Sequence, residues 1–162
     1  MDNKIKIVGL TIVLLTLFYI VQQNILYKIR FNEYINERQN WNLLQIKNYQ
    51  YNIFNKANGK TFIFNEIVEV ENGNFIDNGN FKKLNPLIYD YLTIDKIYED
   101  IDKNFSISGR NIFTKISFGI NVEYNKEYHF PQKIKYTWFP KLFAFDYGSY
   151  YMYEISNFIA KK

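Results

Sequence analysis

Reactive side chains are scarce in this 162-residue chain, and their spacing is poor for catalysis. It holds one histidine, His129, and no cysteine. Thiol nucleophiles, disulfides and thiolate metal sites are excluded. A Ser-His-Asp triad would have to use His129, which lies in an aromatic turn beside Pro131, where a structural or surface role is expected. One imidazole cannot supply the ligands of a histidine-based zinc site. Glu66, Glu69 and Glu71 are the best placed for paired-carboxylate hydrolysis. On a regular strand Glu69 and Glu71 share an outward face, without the buried setting an acid catalyst needs. Asp95, Glu99, Asp100 and Asp102 lack the alternation and glycine of a calcium loop and read as a solvated helix face. Residues 107–111, Ile-Ser-Gly-Arg-Asn, lack the lysine and length of a phosphate loop. The sequence therefore predicts no catalytic residue, no metal and no cofactor.

What remains is aromatic. Phe, Trp and Tyr make up 20% of the chain, and alanine is scarce. Most of these rings are expected to fill the core and the strands. A set near the C-terminus falls at turns and strand ends, and aromatics in loops can anchor an interface. The candidate interaction surface is Tyr128, His129, Phe130, Trp138, Phe139, Phe143, Phe145 and Tyr147. The net charge of +4 implies no nucleic-acid partner, because residues 1–30 carry +3 of it and the rest is nearly neutral.

The elements that must position these residues begin with an apolar segment. Residues 7–21 hold no charge. With Ile5, snorkelling Lys4 and Lys6, and the flank through Tyr27, they reach the ~20 residues a bilayer requires. A basic start and an apolar core also suit a cleaved signal, but the first alanine is Ala57 and no small-x-small site follows Val21. The expectation is an uncleaved single-pass anchor inserted through residues 5–27. A short basic N-terminus favours the inside, which places the remaining domain outside the cytoplasm, although Lys28, Arg30 and Arg38 put positive charge beyond the span too.

Residues 28–162 are expected to form one α+β domain. Apolar residues recur at helical spacing from Leu26 to Ile46, predicting a helix over about 28–46, with Trp41 as a core anchor where it meets the sheet. No proline or glycine lies between Leu10 and Asn58, so anchor and helix can be continuous. Strands are predicted over 47–55 and 61–71 around Asn58-Gly59, and residues 74–86 read as an irregular connector. Thr93 caps a helix over 93–104, with Asp95 in its first turn and a stripe of Ile94, Ile97, Tyr98 and Ile101. Alternation marks strands over 114–124, 132–138 and 149–158, with a loop between the last two. The order is thus membrane helix, helix, two strands, helix, three strands, with the helices on one face of an antiparallel sheet.

These positions resemble a family of small bacterial envelope and lipoprotein-type domains of unknown function. The pattern is Trp41 and then Asn48-Tyr49, Val70-x-Asn72-Gly73, Thr93-Ile94-Asp95, Val122-x-Tyr124-Asn125 leading to Tyr128-His129-Phe130-Pro131, and Tyr153-x-Ile155-x-x-Phe158. The resemblance covers about residues 41–158. Members often carry cysteines in the first hairpin, which are missing here. Asn125 stands where Asp is usual, and His129 replaces a turn glycine. The resemblance implies a fold and an envelope location, and no activity.

The predicted function is a membrane-anchored, non-catalytic binding module of the bacterial envelope with an envelope protein as partner. One alternative is a structural subunit of an envelope assembly. Pilins resemble the chain in outline, but the position where they carry a glutamate is Leu14, and the anchor has no GxxxG pair. The other is an enzyme using carboxylates.

Overall fold

The computed structural model describes residues 3–57, 60–77, 92–110, 118–138 and 150–161. Helix α1, Asn3–Leu44, is one unbroken element of 42 residues, about 63 Å at a rise of about 1.5 Å per residue. Nothing in its sequence breaks it, and the predicted anchor and following helix are the two halves of this one rod. Three strands follow: β1 (Tyr49–Ala57), β2 (Lys60–Glu71) and β3 (Asn74–Phe75). Helix α2 spans Ile94–Ser108, and β4 (Phe118–Tyr124), β5 (Pro131–Trp138) and β6 (Tyr150–Ala160) complete the chain. The strands form one antiparallel sheet in the order β3-β2-β1-β6-β5-β4. The α+β class is as the sequence predicts.

Several boundaries differ, β1 ending at Ala57 and β6 at Ala160 rather than two residues earlier, and three of the differences have a local reason. Residues 74 and 75 are a short edge strand on β2 rather than part of an irregular connector, because Asn74 and Phe75 pair with Glu71 and Val70. Helix α2 continues past residue 104 because Phe105 and Ser108 extend its buried stripe, and it ends at Gly109. Strand β1 starts two residues late. Asn48 instead closes the neighbouring turn, its Oδ1 accepting from Asn72 N at 2.8 Å and its carbonyl from Lys161 N at 2.8 Å. The expected strand residues 114–117, and the expected loop with Phe139, Phe143, Phe145 and Tyr147, lie outside the described residues.

The buried cluster draws on α1, α2 and five strands. It includes Tyr34 and Trp41 of α1, Ile97, Tyr98 and Ile101 of α2, and Tyr51, Val68, Ile120, Ile134 and Ile155 of the sheet. Alternation sets which strand residues enter it: Val68 and Val70 are buried while Glu71 is exposed, and Ile120 is buried while Asn121 is exposed. Trp41 is 3% exposed and meets Tyr49 and Phe158 edge-on, with centroids 5.7 and 6.1 Å away. Its indole Nε1 donates to Asp95 Oδ1 at 2.9 Å. That bond fastens the end of α1 to the first turn of α2, and Trp41 is the core anchor expected of it.

Many core aromatics are tyrosines whose hydroxyls close backbone hydrogen bonds. Tyr49 Oη accepts from Ile94 N at 2.9 Å, and Tyr51 Oη donates to Leu92 O at 3.0 Å. Thr93 Oγ1 accepts from Lys96 N at 3.2 Å, as an N-cap should. The buried N-terminus of α2 is therefore satisfied by two side chains, one of them from the sheet. Burial pushes the Tyr49 and Tyr51 hydroxyls well above their ordinary pKa, so both stay protonated.

Candidate functional site

The residues singled out by chemistry are dispersed by the fold. His129 Nδ1 lies 2.8 Å from Glu37 Oε2 of α1, and among the described residues this is its side-chain partner. Tyr98 Oη donates to the His129 carbonyl. His129 takes φ 59°, the left-handed conformation a glycine would adopt without strain and a histidine tolerates. Asn125 shapes the same turn: its Oδ1 accepts from Glu127 N at 3.0 Å and Tyr128 N at 2.8 Å. An amide oxygen thus performs the acceptor role of the usual aspartate. The turn docks the β4–β5 hairpin against α1 and α2.

The acidic residues go to separate partners. Asp95 bonds Trp41, Glu99 pairs with Lys96 at 2.7 Å, Asp100 accepts from Tyr136 Oη, and Asp102 lies 3.9 Å from Arg38. Burial raises the Asp100 carboxyl above its ordinary pKa, opposed by the Tyr136 hydrogen bond. This helix face is less solvated than the sequence predicts, since Asp100 and Asp102 reach across to the sheet and to α1. Glu69 pairs with Lys161, and Glu71 is exposed. Residues 107–110 of that stretch end a helix: Arg110 N donates to Ile107 O at 3.3 Å, and Gly109 N to Phe105 O at 2.8 Å.

The candidate aromatic surface divides. Phe130 is 2% exposed and stacks on Phe158 at 4.5 Å, so it is a core residue and not a contact residue. Its apolar ring follows the turn directly into β5, where the core begins. Tyr128 is half-buried, 5.1 Å from the same Phe158. His129 is held by Glu37, and Trp138 closes β5 opposite Phe118. Phe139, Phe143, Phe145 and Tyr147 lie outside the described residues. Tyr128 and His129 are half-buried and retain side-chain surface for a partner.

A cleft of about 370 Å³ lies elsewhere, where α1 passes the free edge of β4. Tyr19, Gln23 and Leu26 of α1 form one wall, and Gly119 and Asn121 of β4 with Lys135 of β5 form the other. Phe105 and Ser108 close it from α2. Arg30 crosses between the walls, its Nη1 donating to the Ile120 carbonyl at 3.3 Å. Tyr27 Oη donates to Phe105 O at 3.1 Å, and the space for that contact exists because residue 109 is glycine: a Cβ there would collide with the Tyr27 hydroxyl. The described lining therefore carries two cations and no carboxylate. A pocket of this size, with polar and apolar side chains mixed in its lining, has the volume to take a small ligand or headgroup.

Sequence reasoning missed this cleft. Arg30 registers there only as positive charge beyond the apolar segment, and Lys135 and Asn121 as the polar half of two alternating strands. Their meeting depends on β4 lying at the sheet edge beside α1.

A family model matches residues 33–137. The chain belongs to DUF6174, a family of unknown function. No curated protein and no solved structure matches it. The resemblance to a family of unknown function is thereby borne out. The DUF6174 match begins within the second half of α1 and ends in β5. It takes in Trp41, the cap of α2 and the Asn125–His129 turn, and leaves out the apolar half of α1 and β6. Strand β6 nevertheless sits between β1 and β5 and is needed to join the sheet.

Proposed function

We propose that this DUF6174 chain is a membrane-anchored, non-catalytic binding module of the bacterial envelope, with α1 as a single-pass anchor and the α+β domain outside the cytoplasm. One observation carries the reading. Along the first half of α1 the apolar side chains are exposed on all sides, with Ile7 at 64%, Leu15 at 64% and Phe18 at 70%, while from Tyr27 onward the same helix joins the core. This helix is long and apolar enough to cross a membrane. An apolar rod of this kind loses about 25 cal/mol for each Å² left in water, and a bilayer removes that penalty. The basic residues Lys4 and Lys6 ahead of the segment support the outward orientation of the domain.

The binding assignment is supported by the dispersal of the reactive side chains set against the presence of an ordered cleft. The test is fractionation of cells expressing the full-length chain. Retention in the membrane pellet after alkaline carbonate washing, with the domain digested by protease once the outer barrier is opened, is the expected result. Release by carbonate would remove the anchor from the reading. A membrane-bound but protected domain would reverse its orientation.

A further inference from the structure

We infer that the cleft between α1 and the β4 edge is a binding site for the phosphate-bearing headgroup of an anionic membrane lipid, with Arg30 and Lys135 as its cationic contacts. The inference rests on the membrane reading above and gives that module a ligand class.

Three observations converge. The first is position. Tyr19 lines the cleft and belongs to the uncharged segment of residues 7–21, whereas Arg30 lies eleven residues further along the same helix, about 16 Å at helical rise. With the span ending near Tyr27, the apolar rim falls at acyl-chain depth and Arg30 falls in the headgroup layer, which extends several Å beyond the hydrocarbon. The second is charge. Arg30 and Lys135 are the charged residues of the described lining, and both are cationic. Among the described residues Arg30 forms no ion pair; it donates instead to a carbonyl, Ile120 O at 3.3 Å. A guanidinium has five N–H donors in a planar fork, so this bond orients the group and leaves donors for phosphate oxygens. The third is composition. Leu26, Tyr27, Phe105 and Ile120 supply apolar surface beside the cations, and Gln23, Ser108 and Asn121 supply neutral polar groups. This mixture matches a molecule with an anionic head and an apolar body. A lipid reaches such a site by lateral diffusion and needs no route through water.

Basic residues near a bilayer also attract anionic lipid diffusely, and Lys28 provides the internal control. It is an exposed cation two residues before Arg30 and is not part of the cleft lining. A built site depends on Arg30 and Lys135 far more than on Lys28, whereas a diffuse field weighs them alike.

The test uses the full-length protein in nanodiscs of equal parts phosphatidylcholine and phosphatidylglycerol, with bound lipid counted by native mass spectrometry. Co-purification with the discs reports the anchor. The expected result is retention of one phosphatidylglycerol over phosphatidylcholine by roughly tenfold, the ratio that a charge-assisted contact of this kind supports. Arg30→Gln and Lys135→Gln should each remove most of that preference while disc incorporation and thermal midpoint stay unchanged. Lys28→Gln should leave the preference intact. Incorporation with equal retention of both lipids overturns the site and leaves the anchor standing. An equal loss in Lys28→Gln assigns the preference to diffuse charge and overturns it too. Saturable binding of inorganic phosphate to the detergent-solubilised protein, without preference between the lipids, would make the ligand a soluble anion and overturn the lipid source. Failure to enter the discs would remove both readings together. If a glutamine variant lowers the thermal midpoint, Arg30→Lys provides the second measurement, since it keeps charge without the fork: the preference must fall and not vanish.

Discussion

Single hydroxyls and carboxyls decide how this core tolerates its many tyrosines. Tyr49 Oη is the partner of Ile94 N at the buried start of α2. Removing it in Tyr49→Phe strands a buried N–H and should lower unfolding free energy by about 1–3 kcal/mol, measured by denaturant titration. Tyr124 provides the contrast: its hydroxyl is a buried polar atom without a hydrogen-bond partner among the described residues. Tyr124→Phe should therefore leave stability unchanged or raise it by up to about 1 kcal/mol. Asp100 adds a pH dependence. Burial raises its carboxyl pKa above the ordinary 3.8, so the folded state favours the protonated form. The stability this contributes is fully present below that ordinary value and is lost as pH rises through the folded pKa. Asp100→Asn keeps an acceptor for Tyr136 and removes the ionisation. The gap in thermal midpoint between variant and parent should open in the variant's favour as pH rises from about 3 to about 7. A gap that does not change with pH would mean the carboxyl is not desolvated.

Helices and strands here meet through a few close approaches, and Gly109 marks one of them. Its φ of −75° suits any residue, so the demand for glycine is one of space. Gly109→Ala should displace Tyr27, break its bond to Phe105 O, and lower stability by about 1–2 kcal/mol. Tyr27→Phe removes the colliding hydroxyl, so the double variant should be less destabilised than the sum of the two single changes. Additive losses in that double-mutant cycle would place the strain elsewhere. The hairpin turn at residues 125–130 illustrates a different dependence. Asn125 as acceptor and His129 at positive φ both follow from general residue preferences. The link from His129 to Glu37, 92 positions earlier in the chain, does not.

Taken as a whole, the molecule is a two-part rod and domain sharing one helix. Side chains before Tyr27 contribute nothing to the described core cluster or the partly buried shell around it. A chain beginning at Tyr27 should therefore keep its thermal midpoint within a few degrees of the full-length protein, because it loses no core contact. It should also stay in the supernatant without detergent on ultracentrifugation. A truncated chain that aggregates or melts early would show that the apolar half of α1 supports the fold of the domain. The cleft would lose its Tyr19, Gln23 and Leu26 wall in that chain, so the proposed lipid site must be tested on the intact molecule.

Periodicity made the elements legible in the chain itself. The uncharged run of residues 7–21, the stripe from Ile94 to Ile101 and the alternation from Ile120 to Tyr124 are patterns of near neighbours, and near neighbours set helix and strand faces. Trp41 was legible as a core anchor, and Thr93 as a cap, for the same local reason. Sheet order was not legible, because antiparallel pairing depends on which distant strand offers a matching face. The placement of β6 between β1 and β5 satisfies both neighbours at once. The burial of Phe130 and the capture of the acidic residues of α2 follow from that packing, as does the cleft at Arg30. Each requires groups dozens of residues apart to become adjacent, and only the folded chain supplies that adjacency.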